Sequence, residues 1–269
     1  MQGPYPLKVK GLVEPLSMCV HSKTDAHISR QIAEHGEWES YETQLLLAHL
    51  FPGAVFVDVG ANIGYYSIIA SSLVGDRGRV FAFEPEQDNY TLLKNNVELN
   101  TLSNVTAVRG ALSDHKGGGY IYLNEENRGD HQIYQQSGHS QARASQHIQL
   151  FNGAQFLTGC EPPVSRIDFL KVDTQGAEAV VMAGLLPLLK ASLPDIKIIL
   201  EFTPFSLRQA GSSGMALLDL VAGLDLPMQL IDHIGHSLIP ISYEEMQQWI
   251  LATDADTDNQ GFINLLISR

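Results

Sequence analysis

Short apolar runs alternate with longer amphipathic runs along most of the chain. The short runs have the composition of buried strands and are Val55 to Val59, Val80 to Phe83, Val105 to Val108, Phe169 to Val172, Ile196 to Leu200 and Met228 to Ile231. The helical runs between them are Tyr65 to Leu73, Asp88 to Leu99, Ala177 to Leu189 and Met215 to Leu224. This alternation predicts right-handed crossovers and a doubly wound α/β fold, with a mostly parallel sheet covered on both faces. The last run, Phe262 to Ile267, follows at longer range, and we expect it to be a seventh strand, antiparallel, at the sheet edge.

Two further segments flank or interrupt this pattern. Ile28 to His35 and Ser40 to Leu50 are predicted helices, so residues 1–50 form an expected N-terminal helical cap. Residues 111–165 are irregular, polar and too long for a simple connection, and we expect them to form a substrate lid. No linker or internal repeat is visible, so the sequence predicts a single domain over residues 1–269.

The charge of the chain limits its partners. Thirty acidic residues outnumber 17 Lys and Arg, and the formal net charge is -13. Such a field repels phosphate backbones and anionic lipids, which argues against nucleic acid and membranes as partners. Cys19 and Cys160 lack paired spacing, and the N-terminus has no apolar signal region, so we expect a cytoplasmic protein. The oligomeric state is open, although the first forty residues offer a surface that would suit a homodimer.

The sharpest motif is a buried strand that runs into a glycine-punctuated turn and then a helix. Gly60 and Gly64 permit a tight turn and a close approach of the backbone to a ligand, as in nucleotide sites. The spacing is G-x-x-x-G and not the G-x-G-x-x-G of dinucleotide sites, which argues against an NAD(P)-dependent oxidoreductase. Asp58 precedes the turn, where a carboxylate repels pyrophosphate but suits a ligand that carries a sulfonium and an ammonium group.

The next two strand ends complete a predicted cofactor site. Glu84 follows the second strand and is placed to accept the hydroxyls of a free ribose, with Pro85 beside it. After the third strand, a turn of small residues offers space for an adenine ring. The predicted cofactor-binding residues are Asp58, Gly60, Ala61, Asn62, Gly64, Tyr65, Glu84, Pro85, Gly110, Ala111, Leu112 and Asp173. Tyr65 and Tyr66 open the helix after the turn and suit either the core or the cofactor.

Four segments of the sequence resemble the FkbM-type family of class I methyltransferases. They are Phe56 to Ser67, Phe83 to Pro85, Ile167 to Glu178 and Ile199 to Phe202. The third contains the most specific part, which looks like the family's Asp-x-x-Gly-x-Glu signature with Gln175 where many members carry Glu. The resemblance runs from about residue 28 to the last strand. It implies a seven-stranded fold, S-adenosylmethionine as cofactor, and O-methylation of a hydroxyl on a sugar or a secondary metabolite.

Methyl transfer is an in-line displacement, so much of its rate comes from positioning the reactants. An aliphatic hydroxyl also benefits from a base, worth roughly 10²- to 10⁴-fold. The candidate catalytic residues are Asp173 after the fourth strand, His131 in the insertion, and Glu201 at the end of the fifth strand. The choice of base between His131 and Asp173 stays open. Glu178 suits a structural role in the first turn of a helix, and without compact metal-ligand spacing we expect activity that needs no metal.

Two alternatives to O-methylation remain. One is a methyltransferase fold that binds or senses a ligand without catalysis, since a fold does not prove a function. The other is N-methylation of a small molecule, although the Asn-Pro-Pro-aromatic motif of base methylation is absent after the fourth strand. The acceptor is also unranked, because the polar residues 124–136 suit a hydroxyl-rich ligand, whereas Leu150, Phe151 and Phe156 suit an apolar one.

Overall fold

The computed structural model describes residues 1–22, 25, 27–124, 127–129, 131–133, 143–256 and 258–269. Its strands are β1 (Gln2–Pro6), β2 (Ser17–Val20), β3 (Val55–Val59), β4 (Arg79–Phe83), β5 (Val105–Val108), β6 (Ala111–Ser113), β7 (Gly117–Tyr122), β8 (Ser145–Asn152), β9 (Phe169–Val172), β10 (Lys197–Phe202), β11 (Met228–Asp232), β12 (Ser237–Ile241) and β13 (Ile263–Ile267). Its helices are α1 (Ile28–His35), α2 (Ser40–His49), α3 (Tyr65–Val74), α4 (Gln87–Leu99), α5 (Gly153–Thr158), α6 (Glu178–Ala191), α7 (Pro204–Gln209), α8 (Gly214–Ala222) and α9 (Tyr243–Asp254).

The main sheet confirms the predicted fold class. In the described part of the chain it has the order β12-β11-β13-β10-β9-β3-β4-β5. Strands β10, β9, β3, β4 and β5 run parallel to one another, as buried apolar strands joined by helical crossovers should.

Two details of the predicted sheet were wrong. The sheet has eight strands among the described residues and not seven, because β12 pairs with β11 as an antiparallel hairpin. The last strand, β13, is antiparallel as expected, but it lies between β10 and β11 instead of at the edge. Its apolar sequence suits this position, since four of its five residues are buried and a central strand is covered on both faces.

The helices cover both faces of the sheet because successive strand residues point to opposite sides. Phe56 of β3 packs in a cluster with residues of α2 and α3, such as Leu46 and Ile69. Its neighbour Val57 packs in a second cluster with residues of α6 and α8, such as Met182. The strand ends of β3 and β9 therefore lie between two packed layers, which holds the loops that follow them in fixed positions.

The N-terminal segment is only partly helical. Helices α1 and α2 lie where the sequence predicted them, but β1 and β2 form a two-stranded antiparallel sheet ahead of them. The prediction of a wholly helical cap was wrong because the short strands, with Pro4 and Pro6, show little apolar alternation.

The insertion at residues 111–165 is more regular than its composition suggests. Strands β6, β8 and β7 form a small sheet, and α5 follows it. The missed signal is the alternation in β8, where Ile148 is buried between the exposed His147 and Gln149. Residues 134–142, part of the predicted lid, lie outside the described residues, and the lid stays a prediction. No described helix has the length and apolar character needed to cross a membrane.

Candidate functional site

The carboxyl ends of β3, β4 and β9 open into a cavity that the N-terminal segment and the insertion roof over. Ligands of open α/β sheets bind at this edge. Many of the predicted residues line the cavity: Gly60, Ala61, Asn62, Tyr65, Glu84, Pro85, Ala111, Leu112, His131 and Asp173. Asp58, Gly64 and Gly110 lie behind this wall, and Glu201 lines a neighbouring cavity. The structure therefore brings most of the predicted site together.

The turn after β3 requires glycine. Gly60 has a φ of 85°, and a Cβ at this position would lie 1.8 Å from the carbonyl oxygen of Asp173. Gly64 has a φ of 90° and precedes α3, and its Cβ would lie 2.5 Å from Leu93 Cδ1. The missing side chains let the turn pass close to the end of β9, which leaves backbone and not side chain facing the cavity.

Glu84 lies at the end of β4 and is ready to accept hydrogen bonds. Its buried carboxyl accepts the backbone N–H of Asn62 at 2.8 Å and that of Glu86 at 2.9 Å. Burial raises the pKa of Glu84 to about 8, although these two N–H groups oppose the shift. A carboxyl that is fixed by backbone donors and borders the cavity fits the hydroxyl pair of a ribose.

Asp58 and Gly110 support the site from behind. The buried Asp58 carboxyl accepts the Ser67 hydroxyl at 2.6 Å, and burial raises the pKa of Asp58 to about 6. This contact joins the end of β3 to α3. A Cβ on Gly110 would lie 2.5 Å from the Phe151 ring, so this glycine lets the insertion pack close. Their direct contact with a cofactor stays a prediction, and the wall proposed for adenine comes from Ala111 and Leu112.

Two asparagines hold the insertion over the cavity. The side-chain amides of Asn62 and Asn89 each donate to the carbonyl oxygen of Arg128 at 3.1 Å. Asn89 Oδ1 also lies 2.7 Å from His21 Nε2. The segment 127–129 is thereby fastened to the turn after β3 and to α4. Sequence reasoning missed Asn89, because nothing distinguishes it from the other polar residues of an amphipathic helix.

His131 lines the cavity in the geometry of a donor. Its Nδ1 accepts the backbone N–H of Asn124 at 3.0 Å. Since a backbone N–H always donates, the neutral ring must carry its proton on Nε2. The lone pair that a base needs is therefore engaged, and this arrangement favours Asp173 over His131 as the base.

A buried lysine organises the acidic groups of the site. Lys171 of β9 is 5% exposed, its Nζ lies 3.1 Å from Asp173 Oδ2, and it lies 4.7 Å from the centre of the Tyr66 ring. Burial lowers the pKa of Lys171, but nearby carboxylates, Asp173 first, raise it above its usual range. Lys171 therefore stays charged and forms an ion pair with Asp173. The sequence predictions did not include Lys171.

Gln175 connects the two candidate carboxyls. Its side-chain amide donates to Asp173 Oδ1 at 3.2 Å and to Glu201 Oε1 at 2.6 Å. Burial raises the pKa of Glu201 well above its ordinary value, and the charge of Asp173 adds to the shift. Among the described residues Lys171 forms its ion pair with Asp173, so burial favours the protonated form of Glu201 beside this pair. Glu178 has a structural role, because it accepts the N–H groups of Thr174 and Gly176.

A second cavity of about 390 Å³ adjoins the first. Both are lined by Trp38, Asp173 and Gln175, and the second is also lined by Glu39 and Glu201. The carboxyl of Asp173 thus borders both spaces, as a group that handles the proton of a second reactant would.

The described residues contain no group of three or more His, Cys, Asp or Glu side chains arranged to hold a metal ion. Metal-independent activity stays a prediction. Both cysteines, Cys19 and Cys160, are free.

Comparisons with known proteins find methyltransferases that are similar to parts of this chain. A probable cobalt-precorrin-6B C(15)-methyltransferase from Sulfurisphaera tokodaii is 41% identical over 63 residues, which are 23% of this chain and 33% of that protein. The match thus spans about a third of this curated relative. A solved FkbM methyltransferase from Methylobacillus flagellatus is 15% identical, with a TM-score of 0.45 over 85% of this chain and 51% of that one. A precorrin-6y C5,15-methyltransferase from Geobacter metallireducens is 13% identical, with a TM-score of 0.46 over 94% and 95%.

The family match is broader than these pairwise similarities. A profile of the methyltransferase FkbM domain matches residues 58–252, which run from the end of β3 into α9. This segment includes the glycine turn, Glu84, Lys171 and Asp173, and it confirms the resemblance drawn from the motifs. The chain therefore belongs to the FkbM methyltransferase family.

Proposed function

We propose that this protein transfers a methyl group from S-adenosylmethionine to a hydroxyl of a small molecule, such as a sugar or a natural product. The observation that carries the proposal is the position of Asp173, whose carboxyl borders both the cofactor cavity and the adjoining cavity. The adjoining cavity, at about 390 Å³, has the size of a small-molecule site, for which roughly 300–1,000 Å³ is usual. We also infer a cytoplasmic enzyme, since both cysteines are free.

The residues that face the cofactor cavity fit S-adenosylmethionine. The turn at Gly60 presents backbone to the cavity in a position that a Cβ would block, because the Cβ would lie 1.8 Å from the Asp173 carbonyl oxygen, and Glu84 offers a carboxyl for the ribose. When bound, the cofactor supplies an electrophilic methyl group on a sulfonium. The charge of Asp173 and the polar wall around it favour a cation at this end of the cavity.

Asp173 is the proposed base. One of its carboxyl oxygens lies 3.1 Å from Lys171 Nζ, and the other accepts the Gln175 amide at 3.2 Å. These contacts fix the carboxylate in the position from which it would accept the proton of an acceptor hydroxyl. Glu201, held by Gln175 and favoured in its protonated form, is placed to donate a hydrogen bond to an acceptor oxygen.

The proposal is tested by substitution at the three candidate residues. Calorimetry with S-adenosylhomocysteine measures cofactor binding, and methyl transfer from labelled S-adenosylmethionine to a panel of hydroxylated metabolites measures catalysis. We expect Asp173→Asn to lower kcat by roughly 10²- to 10⁴-fold and to change cofactor affinity much less. Glu201→Gln should have a smaller effect, because an amide also donates.

His131→Gln is the matched control for the choice of base. We expect it to retain more activity than Asp173→Asn, because the ring acts as a donor in this geometry. Full activity in Asp173→Asn together with loss in His131→Gln would reverse the assignment. Cofactor binding without transfer to any hydroxyl would count against O-methylation and favour a binding module or another acceptor atom.

A further inference from the structure

The adjoining cavity continues into a third, outer cavity of about 510 Å³. Trp38, Glu39 and Phe262 line both, so the two spaces form one groove that leads away from Asp173. Phe262 is 59% exposed although it is a large apolar side chain, and it lies at the junction of the two spaces. An exposed aromatic residue at the mouth of an active site is a common feature of ligand contact surfaces.

We propose that this outer cavity is a second acceptor subsite, which binds a ring-sized unit linked to the unit that is methylated. The inference rests on the proposed function and adds the size and charge of its substrate. The acceptor is an extended molecule of at least two units, with its reacting hydroxyl beside Asp173 and its distal unit against Tyr41 and His236. It carries no phosphate or carboxylate.

The side chains in the wall of the outer cavity are held in fixed positions by local contacts. His236 stacks on Tyr41 with ring centroids 5.5 Å apart and planes 10° apart, which gives a flat platform. His236 has a φ of 49°, a conformation that the turn between β11 and β12 imposes. The turn is fixed by Asp232, whose carboxylate accepts the N–H groups of Ile234 and Gly235, each at 2.9 Å.

The hairpin of β11 and β12 carries this wall, and β12 is the strand that was not expected from the sequence. Strand β12, which makes the sheet eight-stranded within the described residues, exists as the partner of β11, and the turn between them carries His233 and His236. The strands of the cofactor site, β3, β4 and β9, are not hydrogen-bonded to this hairpin in the sheet, and the hairpin reaches that site through His233, which lies 3.4 Å from Glu42 Oε1. The hairpin therefore shapes the wall of the outer cavity directly.

The charges of the groove define the acceptor class. Glu37, Glu39, Asp173 and Glu201 line it, and no described lining residue is Lys or Arg. Of the histidines, His233 already lies 3.4 Å from the buried carboxyl of Glu42. A phosphate or carboxylate in the groove would lie among carboxyl groups, of which Glu39 and Glu201 have pKa values raised by burial, and would find no lysine or arginine in the described lining to bind it. Neutral hydroxyls and aromatic or sugar ring faces suit these walls better.

The test uses the full-length protein with matched acceptors. Probes are methyl glycosides of several hexoses and 6-deoxyhexoses, the corresponding disaccharides, and hexose 6-phosphates. Tyr41→Ala removes the platform, and His236→Asn removes its ring while keeping a residue that tolerates positive φ. Tyr120→Ala is the control, because Tyr120 pairs with His147 on the insertion sheet, and neither of them lines the groove. Thermal unfolding and S-adenosylhomocysteine affinity are measured for every variant.

We expect disaccharides to have the higher kcat/KM, and Tyr41→Ala to lower it by roughly 3- to 10-fold, the loss typical of one ring contact. The values for monosaccharides and the cofactor affinity should not change. Equal use of one-unit and two-unit acceptors, an equal loss on both, or preference for the phosphates would overturn the subsite and leave O-methylation intact. If S-adenosylhomocysteine binds but no probe is methylated, the proposed acceptor class falls and the subsite falls with it.

Discussion

The raised pKa of Glu84 makes cofactor affinity depend on pH. Burial shifts the pKa of this carboxyl to about 8. A ribose hydroxyl pair donates two hydrogen bonds, which the ionised carboxylate accepts better than the protonated acid. Binding therefore favours the ionised form, and S-adenosylmethionine or S-adenosylhomocysteine should displace a proton from Glu84.

The magnitude follows from the ionised fraction of the free protein. With a pKa of about 8, roughly one molecule in ten is ionised at pH 7 and about one in a hundred at pH 6. If only the ionised form binds well, the dissociation constant should be roughly 10-fold weaker at pH 7 than at pH 9, and about 100-fold weaker at pH 6. The affinity should level off above pH 8 to 9.

Calorimetry between pH 6 and 9 in buffers of different ionisation enthalpy measures both affinity and proton release. Glu84→Gln is the control, since an amide cannot titrate, and we expect weak binding with little slope. An S-adenosylhomocysteine affinity that is constant from pH 6 to 9 in the native protein, with no proton release, would refute the reasoning.

The same pKa has the opposite consequence for stability. The folded pKa of about 8 exceeds the ordinary glutamate value of 4.5, so the folded protein holds this proton more tightly than the unfolded chain. The stability that the bound proton of Glu84 contributes is fully present below pH 4.5 and is lost as the pH rises towards 8. We expect Glu84→Gln to be more stable than the native protein at pH 9, with the difference shrinking at pH 5, as urea unfolding would show.

Three further predictions concern the glycine turn after β3, the buried Lys171, and the contact of Asn89 with the insertion. Gly60→Ala should destabilise the fold more than Gly75→Ala in urea unfolding. Both glycines have positive φ, but nothing lies within 4 Å of the Cβ position of Gly75. Equal losses would show that the close contact between Gly60 and the Asp173 carbonyl oxygen is unimportant. Lys171→Met should lower the free energy of unfolding by about 3–5 kcal/mol at pH 8 and by less at pH 5, which is below the raised pKa values of Glu39 and Asp58, and adding Asp173→Asn should restore part of the loss. Asn89→Leu should speed dissociation of S-adenosylhomocysteine by roughly 5-fold in stopped-flow measurements, which corresponds to the loss of about one hydrogen bond. An unchanged rate would mean that the contact between Asn89 and Arg128 does not limit release.

Much of the fold could be predicted because its strands are buried on both faces. The apolar run from Val55 to Val59 and the glycine turn after it have few alternative structures, and β3 has the predicted bounds. Helix α1 also has the predicted bounds. The cofactor wall follows from this regularity, since consecutive parallel strands bring their carboxyl ends to one edge.

The elements that were missed have weak local patterns. Strand β12, Ser237–Ile241, contains Pro240 and mostly half-exposed or exposed residues, so its place at the edge depends on pairing with β11. Strands β1 and β2 likewise depend on pairing, in their case with each other. Asn89 and Gln175 act through contacts with residues 39 and 26 positions away in the chain, and no local pattern encodes such contacts.

Lys171 is the exception, because the sequence does contain its signal. A lysine within the otherwise apolar strand β9 is tolerated only where carboxylates meet it. The register places Asp58 of β3 directly beside Lys171, and Asp173 follows two residues later on the same face as Lys171. That face is the one covered by α2 and α3, which bring Glu42 and Tyr66 to the same charge. The position of Lys171 beside Asp58 is therefore set by the register of two parallel strands, and a loop rearrangement alone would not remove it.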